Sequence, residues 1–240
     1  MKLQKETTSQ PTKSQQGRRH GKWYDDACGT AFALELVGER WSLLIVRELM
    51  FGGRRFSDLR GGLPGISAKV LTERLEGLEH AKILQRRQLP PPAAVQIYEL
   101  TPWGYLAEDA IKALGRWAAC SPDHDPTLPL SPASLMLSFR TMFDPARAGG
   151  LALRGAIHVG EERFFVAVAE GGFTAERGEI DAPDFTFAAP TPMPIAAAVY
   201  GKAPFAELEG AGLSMTGDAA AAAAFVDLFH LPAPAWRSAI

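Results

Sequence analysis

The chain predicts an α+β fold: a mostly helical first part carrying a two-stranded wing, then a second part in which helices lie on one side of a small sheet. Three observations lead there. From Phe56 to His80, two helical runs flank a cluster of helix breakers. Two strand-like runs joined by three consecutive prolines follow directly. Beyond Pro132, an amphipathic helical run leads into four short strand-like runs and two further helices, an order expected of helices packed against one sheet.

The first 22 residues are polar and offer almost nothing to bury, so they read as a disordered tail. Within it Arg18, Arg19, His20 and Lys22 are either a basic arm for phosphate or plain solvated residues. Cys28 to Val37 and Glu39 to Phe51 read as two helical pieces hinged near Gly38. The second places Trp41, Leu44, Ile45 and Leu49 on one core stripe. A short helix from Phe56 to Gly62 stops in the breakers Gly61, Gly62, Pro64 and Gly65. Ser67 sits where an N-cap belongs, before a helix from Ala68 to His80 whose buried face carries Leu71, Leu75 and Leu78. That leaves Ser67, Lys69, Thr72 and Glu73 outward on its first two turns, the end of a recognition helix that meets base edges in the major groove. Ile83 to Leu89 and Val95 to Leu100 are the two wing strands, joined through Pro90, Pro91 and Pro92. Thr101 and Pro102 open a helix expected to reach about Ala119, with Trp103, Leu106, Ala110, Leu114 and Trp117 on one stripe.

Four prolines in the twelve residues from Ser121 to Pro132 mark a stiff linker. A helix over about Ala133 to Arg147 follows, with Leu135, Phe139, Met142 and Phe143 on one face. Strands are expected at Gly155 to Val159, Arg163 to Glu170, Phe173 to Arg177 and Phe185 to Ala188. The last helices are Pro194 to Tyr200 and one capped by Asp218 that runs through Phe229. The expected divisions are therefore a tail (1–22), a DNA-binding domain (23–120), a linker (121–132), a second domain (133–232) and a short tail (233–240).

The first part matches a known family in several spaced blocks: Cys28 to Trp41 (CGTAFALELVGERW), Leu43 to Leu49 (LLIVREL), Arg54 to Leu59 (RRFSDL), Leu63 to Leu75 (LPGISAKVLTERL) and Tyr98 to Gly104 (YELTPWG). Together these resemble the HxlR-type winged helix-turn-helix regulators of bacteria over about residues 23 to 118. The resemblance implies a homodimeric regulator of transcription, a repressor by family habit, whose partner is a double-stranded DNA operator. It also implies that the flanking helices form the dimer interface; the stripe from Trp103 to Trp117 is otherwise read as packing within its own chain. The end of the chain carries Asp184 to Pro190 (DFTFAAP), Ala197 to Lys202 (AAVYGK), Ala206 to Leu213 (AELEGAGL), Met215 to Asp218 (MTGD) and Phe225 to Phe229 (FVDLF), and is similar to sterol carrier protein 2-type domains. That similarity implies a tunnel for a lipid or another elongated apolar effector.

The residues expected to meet DNA are Arg54, Arg55, Ser67, Lys69, Thr72, Arg74, Arg86 and Arg87. Lys69 and Thr72 are assigned to bases, and Arg54, Arg55, Arg86 and Arg87 to phosphates. Charge follows the same division: the first 127 residues hold 18 Lys/Arg against 15 Asp/Glu and the remainder 7 against 12, so the positive excess lies with the proposed DNA reader. Phe139, Met142, Phe143, Phe164, Val166, Phe185, Phe187, Val199 and Phe225, with Val168 and Phe229, either line a pocket or fill a core, which composition does not separate. Cys28 opens the first helix, where a thiol has a lowered pKa. In the resembled family a cysteine near this position often senses oxidants or electrophiles; the bland alternative is a small buried hydrophobe.

Two cysteines are too few for a disulfide framework and suit a reducing cytoplasm. There is no apolar run of membrane-spanning length. The five histidines have no metal-ligand spacing, and neither a Gly-rich phosphate loop nor a catalytic constellation is present, so neither enzymatic activity nor a cofactor is expected. Three readings stay open: a regulator with an apolar effector, a regulator sensing only through Cys28 with the second part as a dimerisation platform, and a lipid carrier with a vestigial first domain.

Overall fold

A computed structural model describes residues 24–236. The basic residues Arg18, Arg19, His20 and Lys22 and the expected N-terminal tail lie outside the described residues, as does the end of the C-terminal tail. The first half is α1 (Gly29–Val37), α2 (Ser42–Leu49), α3 (Phe56–Gly62), α4 (Ala68–His80), β1 (Leu84–Gln88), β2 (Gln96–Leu100), α5 (Pro102–Tyr105) and α6 (Glu108–Ala119). The second is α7 (Pro132–Met142), α8 (Pro145–Ala148), β3 (Leu153–Val159), β4 (Glu162–Ala169), β5 (Gly172–Arg177), β6 (Phe185–Ala189), α9 (Pro192–Val199), α10 (Phe205–Leu208), β7 (Ser214–Gly217) and α11 (Ala219–Val226).

In the first half, α2 is the central post. Ile45, Val46 and Leu49 are fully buried among Leu59, Leu63, Leu71, Leu75 and Leu78. Leu44, expected in that stripe, is instead exposed, and Val46 takes the inward position. Trp41 begins the helix in a left-handed conformation (φ 83°), which rotates the helix relative to a continuous run from Glu39. The helix expected from Thr101 to Ala119 is two. Thr101 caps the first turn, its hydroxyl accepting from the Gly104 amide at 3.0 Å and donating to the Lys82 carbonyl at 2.7 Å. A Cβ at Gly104 would stand 2.0 Å from the Ile83 carbonyl oxygen, so only glycine lets this turn sit against the wing. A turn at Leu106 and Ala107 then redirects the chain into α6.

The second half is a five-stranded sheet in the order β5-β4-β3-β6-β7. Its neighbours are antiparallel except for the parallel β3–β6 pair. Strand β7 was not legible in the sequence; Ser214–Gly217 pairs with β6 although only Met215 among its residues is partly buried. Along β4 and β6 the burial alternates, turning Phe164, Val166, Val168, Phe185 and Phe187 inward, where α7, α9 and α11 pack. At Gly155 the facing Phe185 ring fills the space of a side chain: a Cβ there would lie 2.3 Å from the ring. The helix expected to reach Arg147 breaks at Phe143 and Asp144, because Pro145 cannot continue it and instead opens α8.

The aromatic residues read as either a pocket lining or a core close on one another. The ring centre of Phe225 lies 4.8 Å from that of Phe229, 5.0 Å from Phe185, 5.7 Å from Phe139, 6.2 Å from Phe187 and 6.3 Å from Phe173. Phe139, Phe164, Val166, Phe185, Phe187, Val199 and Phe225 are all fully buried, and Met142 is half-buried. They form a packed core rather than a lining. Of the expected set, only Phe143 borders a described cavity.

The halves join through α7, which packs on α2 and α6, and through charged groups. Glu48, almost wholly buried on α2, accepts from Arg47 at 2.8 Å and from the Ser131 hydroxyl at 2.6 Å. Ser131 in turn caps α7 by accepting from the Ser134 amide at 3.0 Å. Glu162 on β4 bridges Arg54 and Arg177, and Arg177 also donates to the Phe51 carbonyl at 3.1 Å. Among the described residues no helix is long and apolar enough to cross a membrane.

Candidate nucleic-acid interface

Two helices and a tight turn build the reading head. Asp58 accepts from the Arg55 amide at 3.3 Å and so caps α3, which ends at Gly62. Gly62 lies against the Glu48 carboxylate, where a Cβ would come within 2.6 Å of its oxygen. The turn places Gly65 at φ 91°, open to glycine and strained for other residues. Leu63 and Ile66 anchor it in the core. Ser67 then caps α4, accepting from the Val70 amide at 3.2 Å. With Leu71, Leu75 and Leu78 buried, the outward side of the first turns presents Ser67, Lys69, Thr72 and Glu73. The wing is an antiparallel pair in the register Leu84 to Leu100 and Arg86 to Tyr98, and the backbone of Arg54 adds a bridge to Tyr98 on its far side.

The structure sorts the eight expected DNA contacts into three groups. Arg55, Ser67, Lys69 and Thr72 are exposed on the head. Lys69 is 86% exposed and pairs with Glu73 at 4.0 Å, while the Thr72 hydroxyl donates to the Ala68 carbonyl at 3.0 Å. Arg86 and Arg87 are exposed but paired, with Glu79 at 2.8 Å and Glu99 at 2.9 Å. Pairs this open contribute about 0–1 kcal/mol, so a phosphate can displace either carboxylate. Arg54 and Arg74 are corrections. The Arg54 guanidinium is turned inward against Glu162 of the second half, with its Nε buried and unpartnered, and does not stand free at the entry to the helix-turn-helix. Arg74 faces back along its own helix: it donates to the Arg40 carbonyl at 3.2 Å and to Glu39 at 2.9 Å, fastening α4 to the turn before α2. Arg60 was missed. It is exposed at the end of α3 and its side chain has no partner among the described residues; its position one residue after the buried Leu59 was the signal.

A second surface flanks the head. Neither α1 nor α6 buries a residue. Trp103, Leu106, Ala110, Leu114 and Trp117 are all exposed, Leu106 and Trp117 each by 75%, as are Phe32 and Leu34 on α1. Cys28, at the start of α1, is fully exposed rather than a buried hydrophobe. The amides of Ala31 and then Thr30, with the Thr30 hydroxyl, favour its thiolate and bring its pKa below that of an ordinary thiol.

A capped helix whose first turns lie open, a glycine turn ahead of it and an antiparallel wing behind define a winged helix-turn-helix protein, a DNA-binding regulator of transcription. The chain belongs to the HxlR-like helix-turn-helix family, whose model matches residues 36–125. It is 38% identical over 86 residues to the HTH-type transcriptional regulator YodB of Bacillus subtilis (strain 168), covering 36% of this chain and 77% of that relative. It is 36% identical over 109 residues to the uncharacterized HTH-type transcriptional regulator YtfH of Escherichia coli (strain K12), covering 45% of this chain and 86% of that one. Among solved structures, the reduced form of YodB from B. subtilis is similar at 35% identity and a TM-score of 0.37, over 41% of this chain and 98% of that chain.

Proposed function

We propose that the chain acts in the bacterial cytoplasm as a homodimeric repressor that binds a pseudo-palindromic DNA operator. The observation that carries this is the pairing of an open α4 N-terminus with an apolar stripe on α5 and α6 that is exposed among the described residues. A second copy covers that stripe, together with Phe32 and Leu34 of α1, and sets two heads on half-sites about one turn apart. Lys69 and Thr72 face bases; Arg55, Arg60, Arg86 and Arg87 face phosphates. Trp117→Glu is expected to convert the dimer to a monomer in light scattering and to abolish tight operator binding. A dimer that survives the substitution excludes this interface. Lys69→Ala is expected to cost about 1–3 kcal/mol of discrimination between selected and random DNA in fluorescence anisotropy. Arg87→Ala is expected to weaken both alike and to flatten the salt dependence.

A second input is favoured by the exposure and lowered pKa of Cys28. A thiolate population is then present below the usual thiol range, so iodoacetamide at pH 7 is expected to label Cys28 faster than Cys120. Cys28→Ser is expected to remove the fast phase and, if this thiol is the sensor, the response of DNA binding to diamide. The apolar effector implied by the sterol-carrier resemblance has to part the rings around Phe225 to enter. Native mass spectrometry of the purified protein separates the two: one apolar adduct per protomer supports such an effector, and a bare dimer moves regulation to Cys28.

A further inference from the structure

The exposed face of α4 carries a carboxylate that phosphate binding does not explain. Lys69 and Glu73 stand one turn apart, their side chains 86% and 48% exposed, with the Lys69 ammonium 4.0 Å from a Glu73 oxygen. Helix stability does not account for this order of charges. A cation in the first turn faces the positive end of the helix dipole, and that turn has no acidic residue to offset it. Of the two i,i+4 orders, Lys before Glu is also the less favourable one. Charges set against the local preference of their own helix are expected where a surface serves binding rather than stability. Arg74, the residue after Glu73, does not compensate it, because Glu39 and the Arg40 carbonyl already hold that guanidinium. DNA phosphates repel a carboxylate, so on a surface turned to the major groove Glu73 needs a donor on a base edge.

We propose that Lys69 and Glu73 together read a single G·C base pair, with Glu73 as a specificity-determining residue. The Lys69 ammonium donates to guanine O6 and N7, and the Glu73 carboxylate accepts from the cytosine amino group. In the major groove a G·C pair presents two acceptors on guanine and, beside them, one donor on cytosine. The protein presents the matching donor and acceptor side by side, so the ion pair does not have to break to reach the bases. Adenine also offers an amino donor, but its N7 acceptor lies on the same edge and repels a carboxylate, and thymine offers only an acceptor and a methyl group. Because the donor precedes the acceptor along α4, G·C and C·G are distinguished as well. This assignment rests on the operator reading and adds to it one residue and one base pair.

Selection of duplexes from a random DNA library by the full-length protein, followed by fluorescence anisotropy on the selected site, tests it. The parent chain is expected to enrich a motif with a fixed G·C pair. Lys69→Ala and Glu73→Ala are each expected to weaken the preference at that same position, with circular dichroism unchanged because both side chains are exposed. Exchanging the pair for A·T is expected to weaken the parent roughly tenfold or more, and each variant by less. The charge swap Lys69→Glu with Glu73→Lys keeps an i,i+4 pair, now in the order that helices favour, and is expected to select C·G in place of G·C. A Glu73→Ala chain that keeps the parent's motif and binds all DNA more tightly shows plain repulsion and overturns the proposal. Preferences lost at two different positions in the two single variants also overturn it, and both results leave the operator reading standing. A parent chain that enriches no motif contradicts the operator reading itself and takes this assignment with it.

Discussion

Phe225→Ala is expected to lower the stability of the folded chain by about 3–5 kcal/mol, one of the two largest effects expected here. The ring is fully buried and has five other phenylalanine rings with centres within 6.3 Å, so its removal leaves a cavity that its neighbours fill only in part. For a chain of this size about 2–4 °C of melting temperature goes with each kcal/mol, which puts the fall at roughly 6–20 °C. The same measurement distinguishes a packed core from a tunnel. A ring lining an empty tunnel already lacks contacts on one side and costs less to truncate. A loss below about 1.5 kcal/mol in urea unfolding, the scale of a swap in which the site closes up, contradicts the packed core.

Glu162→Gln is expected to cost a similar amount, about 3–5 kcal/mol, for an electrostatic reason. Glu162 is the one carboxylate that bridges Arg54 and Arg177, and all three side chains are at most about a quarter exposed. Burial, and then Arg54 beside it, bring the Arg177 guanidinium down to about 10, so it remains charged across neutral pH. A base whose folded pKa is below its unfolded value destabilises the fold while both states are protonated, and that penalty is relieved only as pH rises through about 10 toward the ordinary guanidinium value. At pH 7 the variant therefore holds Arg54 and Arg177 side by side without the carboxylate that bridges them, while Glu48 and Asp58 still attract Arg177. Replacing all three residues together by apolar ones of similar volume is expected to recover most of the loss, because desolvation of a buried triad offsets much of its attraction. A single variant within 1 kcal/mol of the parent sinks this account of the junction.

Much of the reading head was legible because its signals are local. Ser67 before a helical run, leucines recurring at 71, 75 and 78, and glycines and a proline in the turn fix α3, the turn and α4 from neighbours within one or two turns of chain. Arg60 was within reach of the same reasoning, one step past Leu59 on a short helix. Strand β7 was not, since Ser214–Gly217 has no apolar alternation and forms because β6 offers it an edge. Among the assigned contacts, Lys69 and Thr72 are exposed as read, whereas Arg54 and Arg74 are held by Glu162 and Glu39, residues 108 and 35 positions away.

By itself, the sequence determined the winged head, most of the helices and strands of both halves and the apolar stripe from Trp103 to Trp117, because periodicity and capping are properties of short segments. Tertiary structure alone decided whether an apolar residue ends in a core, a cavity wall or an open face. Phe225 and Trp117 have equally good sequence credentials for burial, yet one is enclosed by rings brought from α7, β5 and β6 and the other is left 75% exposed. It also decided which arginines are free, since a guanidinium pairs with whichever carboxylate the fold delivers within about 4 Å, and that distance is set by contacts between elements far apart in the chain.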